Sequence, residues 1–338
     1  MPSLLAATMS VLGCSGHEIP PSPKEQRVPE NDVVIDSAAP CVTGRPVETS
    51  FCGLPLEGDF ENTNDLEVVA QASTTSASCT QLYVATRTIN DRVPRVRRYK
   101  MISVEPCAFA RDEDFAEVTG EISAISTSPD GVVFGLGYDR VRRLAPAPAI
   151  DCALDAVEIT MHSALTLAPD GRSGWVLVDT TGKPKAAPLA FTGDACHVGP
   201  PSEHGFKSKV SGLVMDDRNQ LHVLPLTDGK SPLAKPYILD PRTGVIREYE
   251  VADRVGGFYS LFDLAPCNEG TCVFDGTRML NFTSDGHFLG AVPEPRGDGW
   301  FAPRAYVGSW TGPLFQLGTG SGSHPGLRLQ FIKVPGGT

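Results

Sequence analysis

Apolar positions along this chain fall into short runs with period-two alternation, each closed by a cluster of turn-forming residues; long stripes with helical spacing are hard to find. Residues 122–127 lead through Ser128-Pro129-Asp130-Gly131 into 132–138, and residues 164–167 lead through Ala168-Pro169-Asp170-Gly171 into 175–178. A proline followed by Asp-Gly fixes a tight turn between two extended segments, so each pair predicts a β-hairpin. Looser versions pair 68–72 with 82–86, 213–217 with 221–226, 261–266 with 272–274, and 306–310 with 314–317.

The hairpins come at a fixed period. Val96-Arg97-Arg98-Tyr99 returns 45 residues later as Val141-Arg142-Arg143-Leu144, and Cys107 returns at Cys152 and Cys196, after 45 and then 44 residues. A third run follows most hairpins, as in Tyr237-Ile238-Leu239-Asp240 or 327–334, and Asp240-Pro241-Arg242-Thr243-Gly244 turns into a fourth, 245–251. Four short antiparallel strands form a sheet too small to bury its own faces, which must stack on copies of itself. The turn pattern resembles that of bacterial propeller repeats with a Ser-Pro-Asp-Gly hairpin, over residues 66–338. The resemblance implies an all-β fold, a β-propeller of six blades with four antiparallel strands each, occupying 46–338. Two separate β-sandwiches are the rival architecture, which an even period disfavours. The sixth unit stops after three strands, and residues 46–51 are placed to supply its outer strand.

Ahead of the repeats, residues 3–13 are uncharged and apolar or small, ending Val11-Leu12-Gly13 directly before Cys14. This resembles a bacterial lipoprotein signal, which implies cleavage of residues 1–13 and acylation of Cys14. Residues 14–45, with Pro20, Pro21, Pro23 and Pro29 among charged residues, read as a disordered tether between bilayer and body. No later stretch approaches the ~20 apolar residues of a membrane helix, so membrane attachment rests on the lipid alone. The expected address is the bacterial cell envelope, exported and lipid-anchored.

Charge narrows the partners. A formal net charge of -11 opposes binding to nucleic acid, and the basic stripe of Arg95, Arg97, Arg98 and Lys100, echoed by Arg140, Arg142 and Arg143, is offset by Asp112, Glu113 and Asp114. Nine cysteines are many for a reducing cytosol and fit no zinc spacing, which points to disulfides outside it. With Cys14 assigned to lipid, eight remain. Closeness in sequence pairs Cys41 with Cys52 and Cys267 with Cys272; a shared side of the first blade pairs Cys79 with Cys107, leaving Cys152 with Cys196.

No catalytic, cofactor or metal signature emerges. The glycines around Ser321 and Ser323 read as a hairpin loop, Asp216-Asp217-Arg218-Asn219 as a turn rather than a calcium loop, and His197, His204 and His222 as independent surface histidines. Gly205-Phe206, Gly257-Phe258 and Gly299-Trp300 each precede a first strand, where packing between blades accounts for them better than a channel rim. Two functional classes stay open. The first is a non-catalytic envelope protein that binds or scaffolds a protein or surface glycan. The alternative is an exported propeller enzyme, a hydrolase, lyase or lactonase, with its site at one mouth of the central channel. Either way, the loops entering first strands and joining second to third strands carry the candidate ligand face: His162, His204, Lys207, Asp253, Arg254, Asp298 and Trp300.

Overall fold

The computed structural model describes residues 35–334 apart from 48–49, 55–65, 77, 89, 129, 147–149, 155–163, 181–182, 193–194, 227–234, 251–257, 259–262, 268–269, 276–277, 294–300, 310–311 and 321–325. The chain opens with a short strand, β1 (Ser50–Cys52), and then builds blade 1 from β2 (Leu66–Thr75), β3 (Thr80–Thr88), β4 (Arg95–Ser103) and β5 (Ala108–Arg111), with β6 (Val118–Thr119) pairing β4. Blade 2 is β7 (Ala124–Thr127), β8 (Val133–Leu136), β9 (Arg140–Ala145) and β10 (Asp151–Ala153). Blade 3 is β11 (Leu165–Leu167), β12 (Ser173–Thr180), β13 (Lys183–Thr192) and β14 (Ala195–Val198). Blade 4 is β15 (Val210–Met215), β16 (Leu221–Pro225), β17 (Tyr237–Leu239) and β18 (Ile246–Glu248). Blade 5 is β19 (Asp263–Cys267), β20 (Gly270–Phe274), β21 (Arg278–Thr283) and β22 (Phe288–Pro293). Blade 6 takes β23 (Phe301–Val307), β24 (Leu314–Gly320) and β25 (Gly326–Ile332) from the end of the chain and β1 from its beginning.

Six four-stranded antiparallel blades in sequence order make a six-bladed β-propeller. Ser50, Phe51 and Cys52 pair with Phe331, Gln330 and Leu329, so the sixth blade is completed by the segment that precedes the first.

Alternation along the strands explains the ring. On β12, Val176 and Val178 enter a core shared with blade 2, while Trp175 and Leu177 enter one shared with blade 4. On β20, Val273 faces blade 4 and Cys272 and Phe274 face blade 6. Each apolar core lies in a seam between two blades, and the six seams together go round the ring. Phe206 and Phe258 pack onto the cores of the third and fourth seams, in keeping with a packing role for the Gly-aromatic pairs; Gly257 and Trp300 lie outside the described residues.

The turns behave as their residues dictate. Gly131 (φ 81°), Gly171 (φ 64°) and Asn219 (φ 62°) take the left-handed conformation at corresponding points of the first hairpins of blades 2, 3 and 4. Asn219 therefore does the work of glycine, and Asp216 accepts hydrogen bonds from the N–H groups of Arg218 (3.0 Å) and Gln220 (2.8 Å), which makes 216–219 a turn.

Four disulfides cross-link the described residues: Cys41–Cys79, Cys52–Cys107, Cys152–Cys196 and Cys267–Cys272. The first two replace the expected pairs, Cys41 with Cys52 by closeness in sequence and Cys79 with Cys107 by a shared side of blade 1, because the stretch from Cys41 to Cys52 is held at its two ends by different parts of blade 1. Val42 exchanges hydrogen bonds with Met101 and Thr80, whereas Gly53 bonds to Cys107 and Phe109. Cys41 therefore meets the first turn of blade 1, and Cys52 meets the turn before β5. Residues 35–45, placed by sequence in the tether, thus include a segment docked on blade 1. Cys152 and Cys196 join the outer strands of adjacent blades, and Cys267–Cys272 braces the β19–β20 hairpin.

Replacing both cysteines of Cys52–Cys107 by serine should cost more stability than the same change at Cys267–Cys272. The bridges span 55 and 5 residues, and the entropy of closing the longer loop differs by about 2 kcal/mol. Urea unfolding of the two double variants measures the difference.

Candidate functional site

The first strands of the six blades, β2, β7, β11, β15, β19 and β23, stand side by side around a central channel of about 120 Å³. Each is an edge strand there, with no sheet neighbour on its inner side, so its N–H groups need acceptors from elsewhere. Neighbouring blades provide them. Ser126 Oγ accepts the N–H of Leu167 (2.9 Å), and Thr166 Oγ1 accepts that of Met215 (2.8 Å). Asp263 Oδ2 accepts the N–H of Tyr306 (2.5 Å), while Thr127 Oγ1 donates to the carbonyl of Ser73 (2.6 Å). Four of the six seams are thus strapped at the channel wall by a side chain on one blade and a backbone group on the next.

One strap differs in kind. Where blades 2 and 3 use a neutral hydroxyl, blade 5 uses a carboxylate, and among the described residues Asp263 is the sole carboxyl lining the channel. Its other oxygen accepts the N–H of Leu264 (2.8 Å). Burial within the protein disfavours the charged form and pushes its pKa up to about 6, against the two backbone hydrogen bonds that pull it down. Ser73 and Ser309, also in the channel wall, are more than nine-tenths buried and their hydroxyls have no hydrogen-bond partner.

A second polar cluster lies inside the seam between blades 4 and 5. His222 Nδ1 bonds Tyr249 Oη (2.5 Å), His222 Nε2 faces Asp216 Oδ2 (3.5 Å), and Tyr249 Oη bonds Thr271 Oγ1 (2.7 Å). All four residues are buried, so His222 is an interior residue rather than the surface histidine its sequence context suggested. Burial raises the Tyr249 phenol pKa. The chain of bonds runs from the first turn of blade 4 to β20 and bolts the two blades together.

Of the candidate ligand face, His204 and Lys207 are described. His204 sits against Gly244 in the turn between β17 and β18, and Lys207 pairs with Glu248 (3.1 Å) over the ring of Tyr237. Both lie at the seam of blades 3 and 4, and neither is among the channel-lining residues. His162, Asp253, Arg254, Asp298 and Trp300 lie outside the described residues, as does Cys14. The basic stripe is laced with ion pairs: Arg97 with Glu117 (2.7 Å), Arg98 with Asp112 (2.7 Å) and Arg142 with Asp151 (2.7 Å).

No family model and no curated protein matches the chain. Several solved structures are similar to it in part. A gluconolactonase of Xanthomonas campestris is 14% identical, covering 87% of this chain and 95% of its own with a TM-score of 0.48. The Dos1 propeller is 7% identical over 85% of this chain and 94% of its own, with a TM-score of 0.43. A chain of the nidogen/laminin complex is 13% identical over 72% and 92%, with a TM-score of 0.45. At these identities the likeness concerns the fold alone.

The raised pKa of Asp263 has a signed consequence. The folded value lies above the ordinary carboxyl value of 3.8, so the fold favours the neutral form. The stability this lends is present at low pH and is lost as pH rises through about 6. Asp263→Asn removes the titration. The variant's unfolding free energy relative to the native chain should therefore improve by about 2–3 kcal/mol between pH ~3.5 and pH ~7.5. Urea unfolding of both proteins at the two pH values measures the change, and a difference that stays flat would show that Asp263 is solvated like a surface carboxylate.

Proposed function

We propose that this chain is an exported lipoprotein of the bacterial cell envelope. Acyl chains on Cys14 hold it to a membrane, and its propeller binds or scaffolds a protein or surface-glycan partner without catalysing a reaction. The observation that carries this reading is the cysteine arithmetic. Nine cysteines are present; eight are paired in four disulfides. Such bridges suit an oxidising compartment. The odd one is Cys14, the residue preceded by the uncharged apolar run. A ring braced by covalent bonds is also a rigid platform, on which loops from several blades meet one partner.

A second reading, an exported propeller enzyme, is favoured by Asp263, a carboxyl that titrates near neutrality within the channel, as a general acid or base does. An enzyme of this kind loses turnover in Asp263→Asn while its fold persists, whereas a partner-binding platform keeps its partner.

Expression of the full-length precursor in a bacterium that processes lipoproteins should place the protein in the membrane fraction, with a mature chain beginning at an acylated Cys14. Cys14→Ala should release it to the soluble fraction. Mass spectrometry that finds Cys14 unmodified in a membrane-free product overturns the anchor.

A further inference from the structure

We propose that the cleft between blades 2 and 3 is a binding site for a small aromatic carboxylate, whose ring lies on an apolar floor and whose anionic group meets an arginine from each blade. The proposal is independent of how the chain is anchored and of the channel at the centre of the ring.

The seam between blades 2 and 3 is apolar along its length, from Leu165 and Leu167 on the innermost strand of blade 3 to Cys152 on the outermost strand of blade 2. At the rim that carries the Asp-Gly turns the packing stops short and leaves a cleft of about 490 Å³. Sites that enclose an organic ligand measure about 300–1,000 Å³. The cleft falls within that range, and the central channel, at about 120 Å³, does not.

Register shows which side chains look into the cleft. On β13, Phe191 stands two residues beyond Leu189 and four beyond Ala187, on the face that all three pack into this seam. Its ring stacks on Phe134 of β8 at a centroid distance of 4.0 Å, and Val132 and Ile150 complete an apolar floor. Phe134 is buried beneath, whereas Phe191 and Val132 keep accessible surface to offer a guest. On β9, Arg143 lies opposite Phe134 in the ladder and two residues beyond Val141, so it takes the same face and adds a guanidinium to the lining. Blade 3 brings a second, Arg172, from its first turn. That turn is held in place: Asp170 accepts the Arg172 N–H (2.8 Å), and the Arg172 carbonyl accepts the N–H of Phe191 (2.9 Å). The Cys152–Cys196 bridge ties the outer strands of the same two blades, with Cys196 opposite Phe191 in the ladder, and so limits how far the two walls can part.

The lining sets the chemistry of the guest. A guanidinium fork matches the paired oxygens of a carboxylate, and here one such fork comes from each wall. A bare inorganic anion would leave the apolar floor in water. A flat ring covers that floor by offset stacking on Phe191 while its carboxylate reaches the arginines. A fused two-ring acid is of the size that the cleft admits.

Titration calorimetry of the full chain at neutral pH tests this with naphthoate as the probe, naphthylmethylammonium as the same ring with the opposite charge, and acetate as the same charge without the ring. Expected is one naphthoate site per chain, with the ammonium and acetate each binding at least about tenfold more weakly. Arg143→Gln should weaken naphthoate binding by at least about tenfold, and Arg172→Gln, on the exposed rim, by about threefold. Arg242→Gln, in an exposed turn of blade 4, should leave it unchanged. Arg172 is exposed, so its variant keeps the fold and serves if loss of Arg143 unfolds the chain. Absence of naphthoate binding, affinity unchanged in either folded arginine variant, a comparable loss in Arg242→Gln, or acetate or the ammonium binding as tightly as naphthoate would each overturn the proposal.

Discussion

A four-stranded antiparallel sheet has two faces, and in this protein both are apolar. Alternation sends successive side chains of one strand into two different seams, as Val176 and Leu177 do on β12. A blade with two such faces has no stable end, because a terminal blade leaves one of them in water. Closure into a ring is the arrangement that buries every face, and the rest of the architecture follows from it: parallel first strands around a channel, turns gathered on two rims, and a last blade that must meet the first. The tasks of closing the circle and of completing the sixth blade fall to the same three residues, Ser50–Cys52.

Much of this was legible in the sequence because it depends on local chemistry repeated at a fixed interval. Pro-Asp-Gly turns and alternating runs locate the first hairpin of blades 2 and 3 within a residue or two, and the three-strand last unit announces the need for an outer strand from the other end. What was not legible depends on which segments meet across long distances. The pairing of Cys41 and Cys52 failed on that account: their separation along the chain is short, but each end of the stretch is recruited by a different turn of blade 1. His222 looked like one of several scattered histidines until β16 placed it between blades, within reach of Tyr249 and Asp216.

Asp263 shows a finer limit. Its neighbours in sequence resemble an ordinary apolar run, and nothing nearby advertises a half-buried carboxyl in the channel wall. The signal lay in comparison between repeats, since Ser126 and Thr166 occupy inner strands with the same duty and carry no charge. A repeat protein offers its own internal control for each position, and a departure from the common solution in one blade marks a place where stability has yielded to something else.

The placing of the first disulfide has a mechanical consequence. Any pull applied from the amino-terminal side reaches Cys41 before it reaches β1, and Cys41 is bonded to Cys79 in the body of blade 1. Tension is thereby diverted into a complete sheet, and the three-residue closing strand, which would otherwise be peeled from β25 one hydrogen-bonded pair at a time, lies outside the path of the force.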